Sequence, residues 1–312
     1  MSINVFLTDK LPKEKDKIIS IISFVDKVEY RDNILSTGLY SYGRKNAYEV
    51  WETSDAVSYD EYDDIYISKN KNYLFGLVII DNIGSYEELK LQIQKKYSDF
   101  YKISDENDMS IVKIWHYIPQ LLKTYNDKKT NYSLLCEARE IVYKNYYKDL
   151  SYPAATVIGI EGNKILIYFL AAHCENYKVI ENIRQVSSYN YPQNIFLEKP
   201  MFSRAVSFKT TCDYVEKIII SGTASIRGYE SIHAKNLIKQ LDESLKNYKT
   251  FLEIENNISN TCRVYLSKIQ KDNYNIIINK LEEIFGSNKY VLLKGDICRK
   301  ELLIEIEGIL NA

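Results

Sequence analysis

Two glutamates near the end of the chain have the residue type and spacing of a general acid with a charged neighbour. In the segment Leu302-Leu-Ile-Glu-Ile-Glu-Gly-Ile309, Glu305 and Glu307 share one face of an alternating strand, and Ile304 and Ile306 share the other. A carboxyl group that is partly buried against apolar neighbours can stay protonated near neutral pH and donate that proton to a substrate. Alternation alone fits a solvated strand face equally well, so this pattern leaves both interpretations open.

Arginines and a glycine-containing segment offer groups that could bind a substrate with carboxylates. The guanidinium groups of Arg184, Arg204 and Arg299 can each make two parallel hydrogen bonds to a carboxylate. For any one of them, a surface position or a structural ion pair is the alternative. Ser221-Gly-Thr-Ala224 lies at the end of a predicted strand, where backbone amides and two hydroxyls would contact a ligand and the glycine would allow its close approach.

The motifs of metal and nucleotide enzymes are absent from the sequence. Its three histidines form no HExxH or similar cluster, and its five widely spaced cysteines form no CxxC pair. It has no GxGxxG, no GxxxxGK[ST] and only 11 glycines. We therefore expect no metal site and no cofactor.

Net charge, hydropathy and cysteine content limit the classes of partner and the cellular compartment that we expect for this protein. The 312 residues include 41 Lys and Arg against 42 Asp and Glu, for a net charge of −1, so a nucleic-acid partner is not expected. The longest apolar run, residues 165–172, is far shorter than the roughly 20 residues of a membrane helix. An odd number of dispersed cysteines is typical of free thiols in a cytoplasm. These features predict a cytoplasmic protein without a nucleic-acid or membrane partner.

Apolar spacing predicts a β-α-β-α-β-β order in the C-terminal half. Strands are predicted at residues 215–221, 262–267, 290–294 and 302–309. Asn236 should cap one helix, and a second helix should begin at Asp272 and end before Gly286. Each helix has a single apolar stripe, so both should lie on one face of a sheet.

The N-terminal half repeats this order. Strands are predicted at residues 73–81 and 110–117, helices at 85–101 and 131–148, and two further strands within 155–170, joined by a hairpin turn at Gly162-Asn163. Two copies of one α+β unit explain the repetition, with a boundary near residues 172–182. We assign residues 1–175 to the first domain and 176–312 to the second. The segment 181–204 has no clean period and is the expected position of a functional loop.

Ordered motifs in the second half resemble two related families. The segments 221–224, 240–248, 262–266 and 302–308, ending on Glu-Ile-Glu, resemble the RidA (YjgF) fold. Glu181-Asn-Ile-Arg-Gln, Phe202-Ser-Arg-Ala205, Ser221-Gly-Thr-Ala-Ser-Ile-Arg-Gly and Asp296-Ile-Cys-Arg299 resemble the chorismatases, as do residues 115–119, 136–139 and 153–156 upstream. The resemblance implies an α+β fold of two packed RidA/YjgF-like (chorismate-mutase-like) units, each a mixed sheet with helices on one face.

The chorismatase resemblance also implies an activity and a set of site residues. Chorismatases cleave the enolpyruvyl ether of chorismate, without a cofactor, to pyruvate and a ring product: 3- or 4-hydroxybenzoate, or a dihydroxycyclohexadiene carboxylate. By this resemblance Glu305 is the acid that protonates the vinyl ether, and Cys298 accompanies hydroxybenzoate formation. The predicted substrate-binding residues are Arg184, Tyr189, Arg204, Arg299, Ser221, Gly222, Thr223 and Ala224. Two units in one chain also make a monomer plausible.

Three departures from the chorismatase pattern leave alternatives open. Ile183 replaces a proline, the segment 195–197 replaces Tyr-Gly-Pro, and Tyr229 replaces a histidine. These changes bear first on the choice of product. A non-catalytic sensor of chorismate or another aromatic acid is one alternative. An imine/enamine deaminase of RidA type is the other, although Tyr290 stands where that family has its carboxylate-binding arginine.

Overall fold

A separate small sheet precedes the two predicted units. The computed structural model describes residues 3–125, 128–192, 199–253, 258–268 and 271–311. The first six strands are β1 (Asn4–Thr8), β2 (Ile18–Ser23), β3 (Val28–Arg31), β4 (Ile34–Thr37), β5 (Ser41–Tyr42) and β6 (Tyr48–Glu52). All but β5 form one sheet in the order β1-β6-β2-β4-β3. The sequence analysis predicted no element in this region.

The first α+β unit follows. Its elements are β7 (Ser58–Tyr62), β8 (Ile65–Lys69), β9 (Tyr73–Asp81), α1 (Tyr86–Glu106), β10 (Ser110–Pro119), α2 (Asn131–Tyr146), β11 (Ala154–Ile160) and β12 (Lys164–Ala172). The sheet order is β11-β10-β12-β9-β8-β7, with β10 and β11 parallel and the other neighbours antiparallel. Ser85 and Thr130 cap the two helices through their side chains, as their residue types favour.

The second unit repeats this topology. Its elements are β13 (Cys174–Ile180), β14 (Ala205–Thr210), β15 (Lys217–Ala224), β16 (Ile226–Arg227), β17 (Glu230–Ser231), α3 (Leu237–Leu252), β18 (Ile258–Leu266), α4 (Lys271–Phe285), β19 (Tyr290–Lys294) and β20 (Ile304–Asn311). The sheet order β19-β18-β20-β15-β14-β13 matches the first unit strand for strand, and β5 extends it at β19. The prediction of an α+β fold with two packed units is confirmed.

Three sheets share one central core. Helices α1 and α2 cover the outer face of the first sheet, and α3 and α4 cover the outer face of the second. The inner faces of both sheets and of the N-terminal sheet pack on one another, with Trp51, Tyr168 and Ile309 among the contributors. Because both faces of the central strands are covered, these strands are apolar almost throughout, as in β9 and β12.

Most predicted helices and strands agree with the structure to within a few residues. Ser221–Ala224, expected at a strand end, forms the last four residues of β15, where the pairing with β20 is irregular between Ile220 and Thr223. The departure at residues 195–197 lies outside the described residues. Within the described ranges, no helix is both long and apolar enough to cross a membrane.

Candidate active site

A cavity lies at the junction of the two α+β units, where β11 of the first sheet packs against β15 of the second. It contains about 520 Å³ of space not filled by protein atoms, including space open to solvent. Its lining residues come from both units: Tyr132, Arg139, Ala155, Val157, Tyr191, Pro200, Phe202, Arg204, Gly222, Ala224, Ile226, Cys298, Arg299 and Glu305. Six of the ten predicted site residues are in this set.

Glu305 is the one carboxyl residue among those lining residues, and it is only 4% exposed. It lies on β20 directly opposite Ala224 of β15. Burial raises the pKa of Glu305 to about 8, and the negative charge of Glu307 adds to the increase, while Lys113 and Arg204 oppose it. The side chain is therefore mostly protonated at neutral pH and can act as a general acid.

Gly222 leaves the space that the Glu305 carboxyl occupies. A Cβ atom at Gly222 would lie 1.9 Å from Oε1 of Glu305, far inside van der Waals contact. The backbone N–H of Gly222 donates a hydrogen bond of 3.0 Å to Oγ1 of Thr156 in β11. Gly222 thus allows β15 to approach the acid closely and is held there by the first unit.

Two of the predicted arginines are stacked around Tyr191. The guanidinium carbons of Arg204 and Arg299 lie 5.7 Å and 5.4 Å from the centre of the Tyr191 ring. Arg204 also donates to the Tyr191 hydroxyl at 2.8 Å, and Arg299 donates to the Tyr229 carbonyl at 2.9 Å. The Nε group of Arg204 is buried and has no hydrogen-bond partner among the described residues, so it is available to a ligand.

Arg139 is a cavity residue that the sequence analysis did not select. It is 1% exposed, and its Nε and Nη1 atoms have no hydrogen-bond partner in the described part of the chain. Its guanidinium lies over the Tyr143 ring of the same helix, α2. Buried guanidinium donors without partners are costly, and a bound carboxylate would satisfy them.

Cys298 lies in the segment between β19 and β20 and lines the same cavity. Burial raises the pKa of the Cys298 thiol to about 12, and the adjacent Glu305 adds to this increase. The sulfur is therefore a neutral thiol at physiological pH and not a nucleophilic thiolate.

Four predicted site residues do not line the cavity. The guanidinium of Arg184 binds the Glu243 carboxylate and Oδ1 of Asn247 on α3. Tyr189 packs edge-on against Tyr152, 5.5 Å between ring centres.

The Ser221 hydroxyl donates to the Ser203 carbonyl, and the Thr223 hydroxyl donates to the Ser221 carbonyl at 2.9 Å. Both hydroxyls are therefore used inside the fold. In place of Tyr189, the structure brings Tyr191 to the arginines. The sequence has no signal that separates the two tyrosines, because Tyr189 lies within a short turn (Ser188–Asn190) and Tyr191 directly follows it.

Several known proteins are similar to this chain in sequence or in fold. The family model described as "Chorismatase FkbO/Hyg5-like, N-terminal" matches residues 49–171. A 3-hydroxybenzoate synthase of Streptomyces hygroscopicus is 26% identical over 276 residues, covering 84% of this chain and 80% of that protein. Residues 49–171 of this chain thus match the chorismatase family model, and most of the chain is similar to a 3-hydroxybenzoate synthase.

Two further members of the chorismatase family are similar over most of the chain. A chorismatase of Streptomyces rapamycinicus is 25% identical, covering 84% of this chain and 81% of that protein. A chorismatase crystal structure superposes with a TM-score of 0.86 at 22% identity, covering 99% of this chain and 98% of that chain. The last comparison shows that the whole fold, including the N-terminal sheet, is the chorismatase fold.

Proposed function

We propose that this protein cleaves the enolpyruvyl ether of chorismate, releasing pyruvate, with Glu305 as the acid. The observation that carries the proposal is a buried carboxyl with a pKa of about 8 in a cavity whose Arg139 and Arg204 have unsatisfied donors. Similarity to proteins named chorismatase and 3-hydroxybenzoate synthase supports the same substrate.

The arginines suit the two carboxylates of chorismate. In this proposal, Arg139 on one side and the pair Arg204 and Arg299 on the other each bind one carboxylate. The apolar walls formed by Ala155 and Phe202 contact the ring between them. Binding satisfies guanidinium donors that the described residues leave without partners, so the dianion is favoured over a neutral ligand.

The reaction begins with proton transfer from Glu305 to the terminal methylene carbon of the enolpyruvyl group, which becomes the methyl group of pyruvate. The positive charge that develops on the ether carbon is next to the newly formed Glu305 carboxylate, which stabilises it. If water adds to that carbon, one proton of the water returns to the Glu305 carboxylate and a hemiketal forms. The hemiketal then collapses: its hydroxyl proton passes to the ring oxygen as the bond to that oxygen breaks, and pyruvate and a dihydroxycyclohexadiene carboxylate leave.

For the ring product, we propose a hydroxybenzoate, with 3-hydroxybenzoate favoured. Pyruvate and hydroxybenzoate together have the same atoms as chorismate, so this outcome needs no net water. The Cys298 thiol lines the cavity, and one relative is named for 3-hydroxybenzoate synthesis.

We further propose that a single chain is sufficient for activity, since both units that form the cavity belong to it. The five cysteines form no disulfide bond among the described residues, which is compatible with a cytoplasmic location.

Incubation of the purified protein with chorismate alone tests this proposal. Pyruvate release should be measured with a coupled dehydrogenase, and the ring product should be identified by chromatography. Glu305→Gln should abolish release, whereas Glu161→Gln, which changes an exposed carboxylate paired with Lys294, should not. Saturable chorismate binding without pyruvate would reject the enzyme and favour a sensor, and absence of binding would reject chorismate as the ligand.

A further inference from the structure

The second glutamate of β20, Glu307, lies at the centre of a buried polar cluster. It accepts hydrogen bonds from Nε1 of Trp115 at 3.0 Å and from the hydroxyl of Tyr265. Its carboxylate also lies 2.8 Å from Nζ of Lys113 and 3.3 Å from Nη1 of Arg263. With this many donors, Glu307 is ionised in the folded protein.

Both partners that neutralise Glu307 are themselves buried. Lys113 is fully buried and also donates to the Ile220 carbonyl at 2.7 Å. Arg263 is shared, because Nε and Nη2 of its guanidinium bind both oxygens of Glu49. Burial by itself would raise the pKa of Glu307, but Lys113 and then Arg263 lower it below its usual value.

This polar cluster is connected to the acid through Thr156 of β11. The Thr156 hydroxyl donates to Glu307 at 2.5 Å and accepts from Lys113 at 2.9 Å and from the Gly222 amide at 3.0 Å. Gly222 in turn borders the Glu305 carboxyl. The Glu305 carboxyl receives no hydrogen bond from the described residues, so its pKa depends on burial and on nearby charges.

We propose that Glu307 and Lys113 are positioning residues of the reaction: Glu307, kept ionised by Lys113 together with Arg263 and its hydrogen-bond donors, is the fixed negative charge that holds the catalytic proton on Glu305. The inference rests on the proposed function for its catalytic meaning, but the electrostatic arrangement stands on the geometry alone. Two residues along a strand are about 7 Å apart, so a full charge at Glu307 acts strongly on Glu305 in a buried site.

Charged and titratable groups surround the two carboxyls and come from several strands, one helix and the segments that precede β14 and β20. Those near Glu305 are Lys113 of β10, Arg139 of α2, Arg204 before β14, and Cys298 and Arg299 before β20. Those near Glu307 are Lys113, Arg263 and Tyr265 of β18, Glu49 of β6, Tyr117 of β10 and Tyr168 of β12. Among the described groups near Glu305, Glu307 is the fixed negative charge and opposes the cations.

The test measures the ionisation midpoint of Glu305 in three variants. Removing the negative charge with Glu307→Gln should lower the midpoint by roughly one to two pH units, from a unit charge at about 7 Å and an effective dielectric constant of about 20. Removing the positive charge with Lys113→Met should raise the midpoint, because Arg263, Trp115 and Tyr265 still hold Glu307 ionised. A merely structural role predicts no such opposite shifts.

The controls separate charge from packing. Trp115→Phe removes a hydrogen bond to Glu307 without changing a charge, so the midpoint should stay within a few tenths of a pH unit of wild type. The double variant Lys113→Met/Glu307→Gln leaves neither member of this pair charged. It should give a small downward shift, and it remains informative if a single variant fails to fold.

Two readouts distinguish failure of this inference from failure of the proposed function. Infrared titration of the ligand-free protein, with the Glu305 band assigned by Glu305→Gln, reports the midpoint without any substrate. The pH profile of pyruvate release reports it during turnover. Shifts in the same direction for Glu307→Gln and Lys113→Met, or no shift in either, would overturn the inference. Opposite infrared shifts in a protein that does not consume chorismate would uphold the arrangement and reject only the function.

Discussion

Replacing Glu305 with glutamine should stabilise the fold while it stops the reaction. The pKa of Glu305 is about 8 in the folded chain against a usual value of 4.5, a gap of roughly 3.5 pH units. Between these two values the unfolded chain has lost the proton and the folded chain has kept it, so folding stability falls as the pH rises. At about 1.4 kcal/mol per pH unit, the penalty is about 3 kcal/mol at pH 7 and about 5 kcal/mol above pH 8.

Glutamine has nearly the shape of a protonated glutamate and does not ionise, so Glu305→Gln removes this penalty. The assay is urea unfolding of wild type and variant at pH 5, 6, 7 and 8, with the free energy of unfolding extrapolated to water. The difference between the two proteins should be small at pH 5 and grow by about 1.4 kcal/mol per pH unit up to about pH 8. A difference that is independent of pH, or a variant less stable than wild type at pH 8, would refute the assignment of a raised pKa to Glu305.

Four further results are expected at the same site. Pyruvate release should be lost as the pH rises through about 8, the pKa of Glu305, and a profile still flat at pH 9.5 would contradict the acid role. Gly222→Ala should reduce kcat on the order of a hundredfold because its Cβ displaces the carboxyl, while Gly162→Ala in the β11–β12 turn should retain kcat within about threefold. Arg139→Met should raise KM at least about tenfold without loss of thermal stability, since the guanidinium has unsatisfied donors; an unchanged KM would remove Arg139 from the binding site. Cys298→Ala should keep pyruvate release and increase the non-aromatic share of the ring product, as seen by chromatography, and an unchanged ratio would argue against a role in product choice.

Much of the fold could be predicted from the sequence because helix caps, apolar stripes and terminal glycines are encoded by residues close together in the chain. The Asn236 cap and the apolar stripe behind it specify α3, and Gly286, with a φ of 79°, ends α4 as a C-terminal glycine does. The N-terminal sheet could not be predicted in the same way. Its strands are short, and the pairing of β5 with β19 joins residues about 250 positions apart along the chain, so no local period records it.

The sequence allowed the carboxyl residue of the candidate site to be predicted, but not all of its arginines. Glu305 was selected through the chorismatase resemblance, and the structure provides the burial that its proposed role requires. Arg184 and Arg139 show the limit. Both arginines belong to motifs of the resemblance, but Arg184 binds Glu243 on α3, whereas Arg139 lines the cavity. This difference follows from the packing of the two units and is not visible in the sequence. Glu307, which the alternating pattern placed on the same strand face as Glu305, is buried and ion-paired.

Matching strands of the two units explain why the chain has this site only once within its described residues. In the second unit Tyr265 of β18 lies opposite Glu305 of β20, and in the first unit Tyr117 of β10 lies opposite Leu166 of β12. The residue opposite Tyr117 is therefore a leucine, whereas the residue opposite Tyr265 is the buried carboxyl residue. The first unit instead supplies the wall from β11, the guanidinium of Arg139 and the ammonium of Lys113. A duplicated fold thus yields an asymmetric cavity, because the second unit provides Glu305, Arg204 and Arg299 while the first provides Arg139 and Lys113.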